Sequence, residues 1–99
     1  MIRHVVAWKL SATDPAQKAA DAAAITALLS SLPPLIPSIA SLTVGPNVAY
    51  FEKNWDVVLV ADYATLADLD AYQQHPAHLE VAPQVAALVS DRASVDIEL

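Results

Sequence analysis

The segment Trp55–Tyr63, WDVVLVADY, is apolar on both of its faces. Side chains of an extended strand alternate between two sides. Val58 and Val60 fall on one side, flanked by Asp56 and Asp62, while Val57, Leu59, Ala61 and Tyr63 fall on the other. The opening segment Ile2–Leu10 has the same character. Ile2, His4, Val6, Trp8 and Leu10 share one side, and Val5 and Ala7 sit between Arg3 and Lys9 on the other. An open antiparallel sheet with helices on one side leaves its second side polar. Two strands that need cover on both sides require a third layer. A chain of 99 residues, read as one domain over 1–99, has no segment left to supply it. The pattern predicts a homodimer, with a second copy packed on the free sheet face.

Composition narrows the classes further. Hydrophobic types make up 56% of the chain and charged types 16%, which excludes disorder. That apolar share exceeds the roughly 45–50% of ordinary domains, and alanine supplies about a fifth of the chain. With no cysteine there is no disulfide framework, no Cys-ligated metal and no thiol nucleophile. A formal net charge of −6 repels phosphate backbones and anionic lipid, so neither nucleic acid nor membrane is an expected partner. No apolar run approaches the roughly 20 residues of a membrane span. The N-terminus begins as a strand without the layout of a signal peptide, so the expected location is cytoplasmic.

Seven prolines and a single glycine, Gly45, punctuate the chain. Strand β1 is read over residues 2–10. Asp14 followed by Pro15, with Gln17 three residues after Asp14, signals the start of helix α1, running from Pro15 to about Leu32. Its apolar stripe is read as Ala24, Leu28 and Leu32, with Ile25 beside them, and Pro33-Pro34 ends it. Strand β2 is read over 39–49 with a break or bulge at Gly45, and β3 over Trp55–Tyr63. Thr65 caps helix α2, about Leu66 to Gln74, with Leu66, Leu69 and Tyr72 at three-residue spacing. His75-Pro76 begins helix α3, which continues to about Val89. Ala93–Leu99 alternates strictly and reads as β4. The order β-α-β-β-α(α)-β predicts an α+β, ferredoxin-like fold: a four-stranded antiparallel sheet with helices on one face.

Few polar side chains are placed for chemistry. One glycine cannot build a phosphate cradle, and no serine stands in a nucleophile-elbow pattern. Asp56, Asp62, Asp68 and Asp70 read as solvated groups at strand edges and helix surfaces. Trp8 and Trp55 read as core or interface residues. His75 and His78 flank Pro76 three residues apart. They could ligate a metal only with further ligands that no other residue evidently offers, so no metal is assigned. His75 is read instead as the structural cap of α3, with Pro76 at its first position. His78, Tyr72 and His4 lie on otherwise apolar elements and could converge between helices and sheet. A neutral histidine is a general base, and a phenol can donate to a developing enolate oxygen. The pair therefore suits proton abstraction next to a carbonyl, as in aldol-type ring closure. The alternative is a buried hydrogen-bond cluster with no catalytic part.

Several of these pieces together resemble one family. They are Ile2-Arg3-His4-Val5-Val6, Val44-Gly45-Pro46-Asn47, Asp56-Val57-Val58-Leu59-Val60, the run Tyr72-Gln73-Gln74-His75-Pro76-Ala77-His78, and Val95-Asp96. The chain resembles the stress-responsive A/B barrel (Dabb) family of the dimeric α/β-barrel superfamily. The resemblance implies two ferredoxin-like protomers packed sheet to sheet. It also implies a candidate activity. An olivetolic-acid-cyclase-like plant branch closes linear polyketides by aldol condensation without metal or organic cofactor. There the base matches His78, its assisting tyrosine matches Tyr72, and a further histidine at the pocket matches His4. Other members are stress-associated proteins with no known reaction, so a non-catalytic stress-response-associated dimer is the alternative reading. The expected ligand is a small aromatic or polyketide-like molecule, and no cofactor is expected. The pocket walls are expected to be Val6, Trp8, Ile25, Val58, Val60, Val81, Val85 and Val89. Ile25 stands where the resemblance implies a tyrosine, so the cavity is expected to differ in shape from that of the plant enzymes.

Overall fold

A computed structural model describes residues 1–99. Its elements are β1 (Ile2–Leu10), α1 (Pro15–Ser30), β2 (Ser41–Pro46), β3 (Val57–Tyr63), α2 (Leu66–Gln74), α3 (Pro76–Ala86) and β4 (Val89–Glu98). The strands form one antiparallel sheet in the order β2-β3-β1-β4, and the helices cover one face of it. The fold is ferredoxin-like. No helix is long and apolar enough to cross a membrane.

Local chemistry sets the helix starts. The Asp14 carboxylate accepts from the Gln17 amide at 2.9 Å, and Pro15 occupies the first turn, where its missing N–H is not needed. Thr65 accepts from the Asp68 amide at 3.2 Å and so caps α2. At the α2–α3 junction, His75 Nδ1 accepts from the Ala77 amide at 3.1 Å.

Several boundaries differ from the sequence reading. Helix α1 stops at Ser30 rather than near Leu32, because a residue preceding proline is pushed out of the helical region. Its buried stripe is Ala22, Ile25 and Leu29, continued by Leu32 in the following turn; Leu28 packs half-buried against this core, whereas Ala24 is exposed. Most of its alanines face solvent. They favour the helix itself rather than close packing. Strand β2 passes Gly45 in regular register with Val58, so the expected bulge is absent there. The register shift lies instead between Lys9 and Leu10, opposite the start of β4. Helix α3 ends at Ala86, three residues beyond Pro83, whose ring removes one helical hydrogen bond. Strand β4 then begins at Val89, before the alternating stretch. Residues 89–92 pair with β1 through backbone groups that carry no side-chain signature.

Cross-strand register fixes which side of each strand is inward. His4 pairs with Ala61, Val6 with Leu59 and Trp8 with Val57. Paired residues share a face, so the helix-facing side carries Ile2, His4, Val6, Trp8, Leu10, Val57, Leu59, Ala61 and Tyr63, all buried. The other side carries Val5, Ala7, Val58 and Val60. Strand β4 extends it with Ala93, Val95 and Ile97, opposite Ala7, Val5 and Arg3. Val58 is 42% exposed, Ile97 46% and Val95 61%. Only 18 of the 99 residues are buried in the single chain, so much of the apolar surplus lies uncovered on this outer face.

Asp56 and Asp62 are not simply solvated. Arg3 grips Asp62 with two parallel bonds of 2.9 Å at the rim of the outer face. This pairing holds the Asp62 carboxyl below its usual range. Asp56 accepts from the Leu10 amide at 2.8 Å and pairs with Lys18 at 3.4 Å. Trp8 is buried in the core, whereas Trp55 lies near the surface with the Lys9 ammonium 5.0 Å from its ring centre.

Candidate functional site

A cavity of about 400 Å³ opens between the helices and the β1–β4 side of the sheet. Its floor is His4, Val6 and Trp8 from β1 with Leu59 from β3. Tyr72 comes from α2, His78 and Val85 from α3, and Leu29 from α1. The start of β4 closes one side with Val89, Ser90, Asp91 and Arg92. A larger groove of about 670 Å³ lies beside α1 and the 47–56 loop, but its only cation and carboxylate, Lys18 and Asp56, are paired with each other. The titratable groups converge in the first cavity.

That convergence follows from the local structure. Capping by His75 turns the chain between α2 and α3, so Tyr72 in the last turn of α2 meets His78 in the first turn of α3. Their rings stand edge to face, 4.6 Å between centres. Tyr72 also lies 6.4 Å from His4 and 5.2 Å from Tyr63. Nδ1 of His78 is buried without a hydrogen-bond partner, as is the Tyr63 hydroxyl. Burial pushes the His78 imidazole below its ordinary pKa, and the charges of His4 and Arg92 add to this against the Gln73 carbonyl. His78 is therefore neutral near pH 7 and able to accept a proton. Burial raises the phenols of Tyr72 and Tyr63, so both stay protonated as donors.

The remaining expected wall residues divide. Val6, Trp8, Val85 and Val89 line the cavity. Ile25 and Val81 are buried in the hydrophobic core and do not reach it. Val58 and Val60 are on the wrong side of the sheet: Val58 pairs with Ala7 and Val60 with Val5, both facing away from the helices. The sequence held a signal for this, since Asp56 and Asp62 flank the same face as Val58 and Val60.

Two residues of the site escaped the sequence reading. Asp96 stands opposite His4 across the β1–β4 pair, and its carboxylate is hydrogen-bonded to His4 Nδ1. Arg92 stands opposite Trp8 on the same side. The inner face of β4 is thus a polar row, Arg92, Ser94, Asp96 and Glu98. Only the antiparallel register ties this row to β1. No group of three or more histidine, aspartate or glutamate side chains comes together as a metal cradle.

Comparison with known proteins agrees with this fold. The sequence profile of the stress responsive A/B barrel domain matches residues 2–99. No curated protein sequence matches the chain significantly. Among solved structures, a dimeric ferredoxin-like protein of unknown function from Bacteroides fragilis NCTC 9343 superposes with a TM-score of 0.88 at 26% identity, covering 99% of this chain and 95% of that one. A dimeric ferredoxin-like protein of unknown function from Thermobifida fusca YX gives 0.83 at 28% identity, covering 99% and 90%. The hydroxynitrile lyase of Passiflora edulis shares the fold, with a TM-score of 0.78 at 14% identity over 97% and 90% of the two chains.

Proposed function

Because the chain belongs to the stress responsive A/B barrel domain family, we propose that it works as a homodimer that binds a small carbonyl compound in the His4–Tyr72–His78 cavity and closes it into a ring. The observation that carries this reading is the cavity itself. About 400 Å³ of space adjoins a neutral histidine and a protonated phenol. A purely structural cluster would fill that space and pair those groups with each other.

In the proposed reaction His78 removes a proton from the carbon next to a carbonyl. Tyr72 donates a hydrogen bond to the oxygen that gains charge. The enolate carbon attacks a second carbonyl carbon of the same polyketide-like molecule. The new alkoxide then recovers the proton held by His78, so the ring forms with no net redox change. His4, set by Asp96, orients the substrate or Tyr72.

Dimerisation uses the outer face of the sheet, where Val5, Ala7, Val58, Val60, Val95 and Ile97 need a partner of like chemistry. The Bacteroides fragilis and Thermobifida fusca relatives, at 26% and 28% identity, are described as dimeric. The catalytic test is cyclisation of a linear poly-β-keto thioester by the wild type, His78→Ala and Tyr72→Phe. The expected loss is roughly 10²–10⁴-fold for His78→Ala, with unchanged circular dichroism. Cyclisation no faster than the uncatalysed background in all three proteins would leave the non-catalytic stress-associated dimer as the reading.

A further inference from the structure

The chain has five lysines and arginines against eleven acidic residues, and most of these cations are engaged. Arg3 is held by Asp62 and Lys18 by Asp56. Lys9 lies over the Trp55 ring. Lys53 is in the exposed loop between β2 and β3. Arg92 is different. It lines the cavity and has no carboxylate at ion-pair distance. Its one side-chain bond is from Nη1 to Ser94 Oγ at 3.3 Å. In an acidic chain, an arginine without an acid partner at the mouth of a cavity is a ready anion receptor.

We infer that Arg92 binds the carboxylate of a monoanionic ligand whose apolar, planar body lies along Trp8 and Val6 toward Tyr72 and His78. This inference rests on the cavity being a ligand site and adds the ligand's charge and orientation. The register supplies the geometry: Arg92 is directly opposite Trp8, and Ser94 opposite Val6. The guanidinium fork therefore stands at the end of an apolar floor. Burial raises the Tyr72 phenol and lowers the His78 imidazole; the charge of Arg92 opposes the first and adds to the second, as a cation sharing their cavity should. Asp91 at the rim and the neighbouring Asp96 and Glu98 on the strand penalise a second negative charge. They select a carboxylate over a phosphate dianion.

The test is an NMR titration of the isotope-labelled full chain with benzoate, benzamide and phenyl phosphate. Trp8, Tyr72 and Arg92 resonances are followed in the wild type, Arg92→Gln and Arg92→Lys. The wild type should bind benzoate about tenfold more tightly than benzamide or phenyl phosphate. Arg92→Gln should bring benzoate down to the level of benzamide, and Arg92→Lys should fall between. Benzoate affinity should weaken with added salt. Equal binding of benzoate and benzamide to the wild type, full benzoate affinity in Arg92→Gln, or tighter binding of phenyl phosphate would overturn the inference and leave the cavity a ligand site. Failure of all three probes to shift any cavity resonance would overturn both.

Discussion

His4 on β1 and Asp96 on β4 face each other across the sheet, and His4 Nδ1 is bonded to the Asp96 carboxylate. An ionised carboxylate only accepts, so a proton must sit on Nδ1. The pair thus fixes a proton on Nδ1 and the rotation of a buried ring. Asp96→Asn lets the side-chain amide donate instead and permits the opposite tautomer, which nitrogen shifts of the imidazole would report. Asp96→Ala leaves a buried N–H without a partner and should cost about 1–3 kcal/mol in urea unfolding. Unchanged stability and an unchanged tautomer in both variants would show that the pair does not set the ring.

The buried ionisable groups set a pH window for stability. His78 is held below its ordinary value of 6.5 when folded. Over that interval the unfolded chain binds more protons, so stability falls as pH drops through about 6.5 and further below. Tyr63 and Tyr72 are raised above 10.0 by burial. Their contribution is complete below about pH 10 and is lost as pH rises beyond it. Urea midpoints should therefore decline on both sides of this window. His78→Gln should flatten the acid limb between pH 7 and 5, and an acid limb as steep as that of the wild type would assign it to other groups.

A charge placed on the outer face tests the dimer. Val58 lies at the middle of that face, between Ala7 on β1 and Gly45 on β2. Val58→Asp buries an unpaired carboxylate if a second sheet packs there. The cost should be about 3 kcal/mol or more, over a hundredfold in the dissociation constant. Light scattering should show a wild-type dimer and a variant monomer at micromolar concentration. A wild-type monomer there would overturn the sheet-to-sheet assembly.

Ile25 is fully buried in the core and does not reach the cavity. Ile25→Ala should therefore destabilise the fold by about 2–5 kcal/mol while leaving ligand affinity of the folded protein unchanged. A selective loss of binding at full stability would return Ile25 to the cavity wall.

Much of this protein is legible in its residues. Asp14-Pro15, Thr65 and His75-Pro76 are start signals whose chemistry acts within three residues, and each forms its cap as written. The apolar character of both faces of β1 and β3 is equally local, and it states that the sheet needs cover on two sides. The spacing from Tyr72 to His78 across one capped junction brings the two rings together. What the residues alone leave open is register. A strand has a period of two, so a single-residue choice decides whether Val58 or Leu59 faces the helices. Antiparallel pairing of Val6 with Leu59 makes that choice. It places Val58 and Val60 outside, and the separate pairing of β1 with β4 brings His4 to Asp96 and Trp8 to Arg92 across more than eighty residues of chain. Partners so far apart in sequence are joined by backbone hydrogen bonds that carry no side-chain code. The caps and the apolar faces thus belong to the sequence, while the acid that sets His4 and the cation at the cavity mouth belong to the tertiary structure.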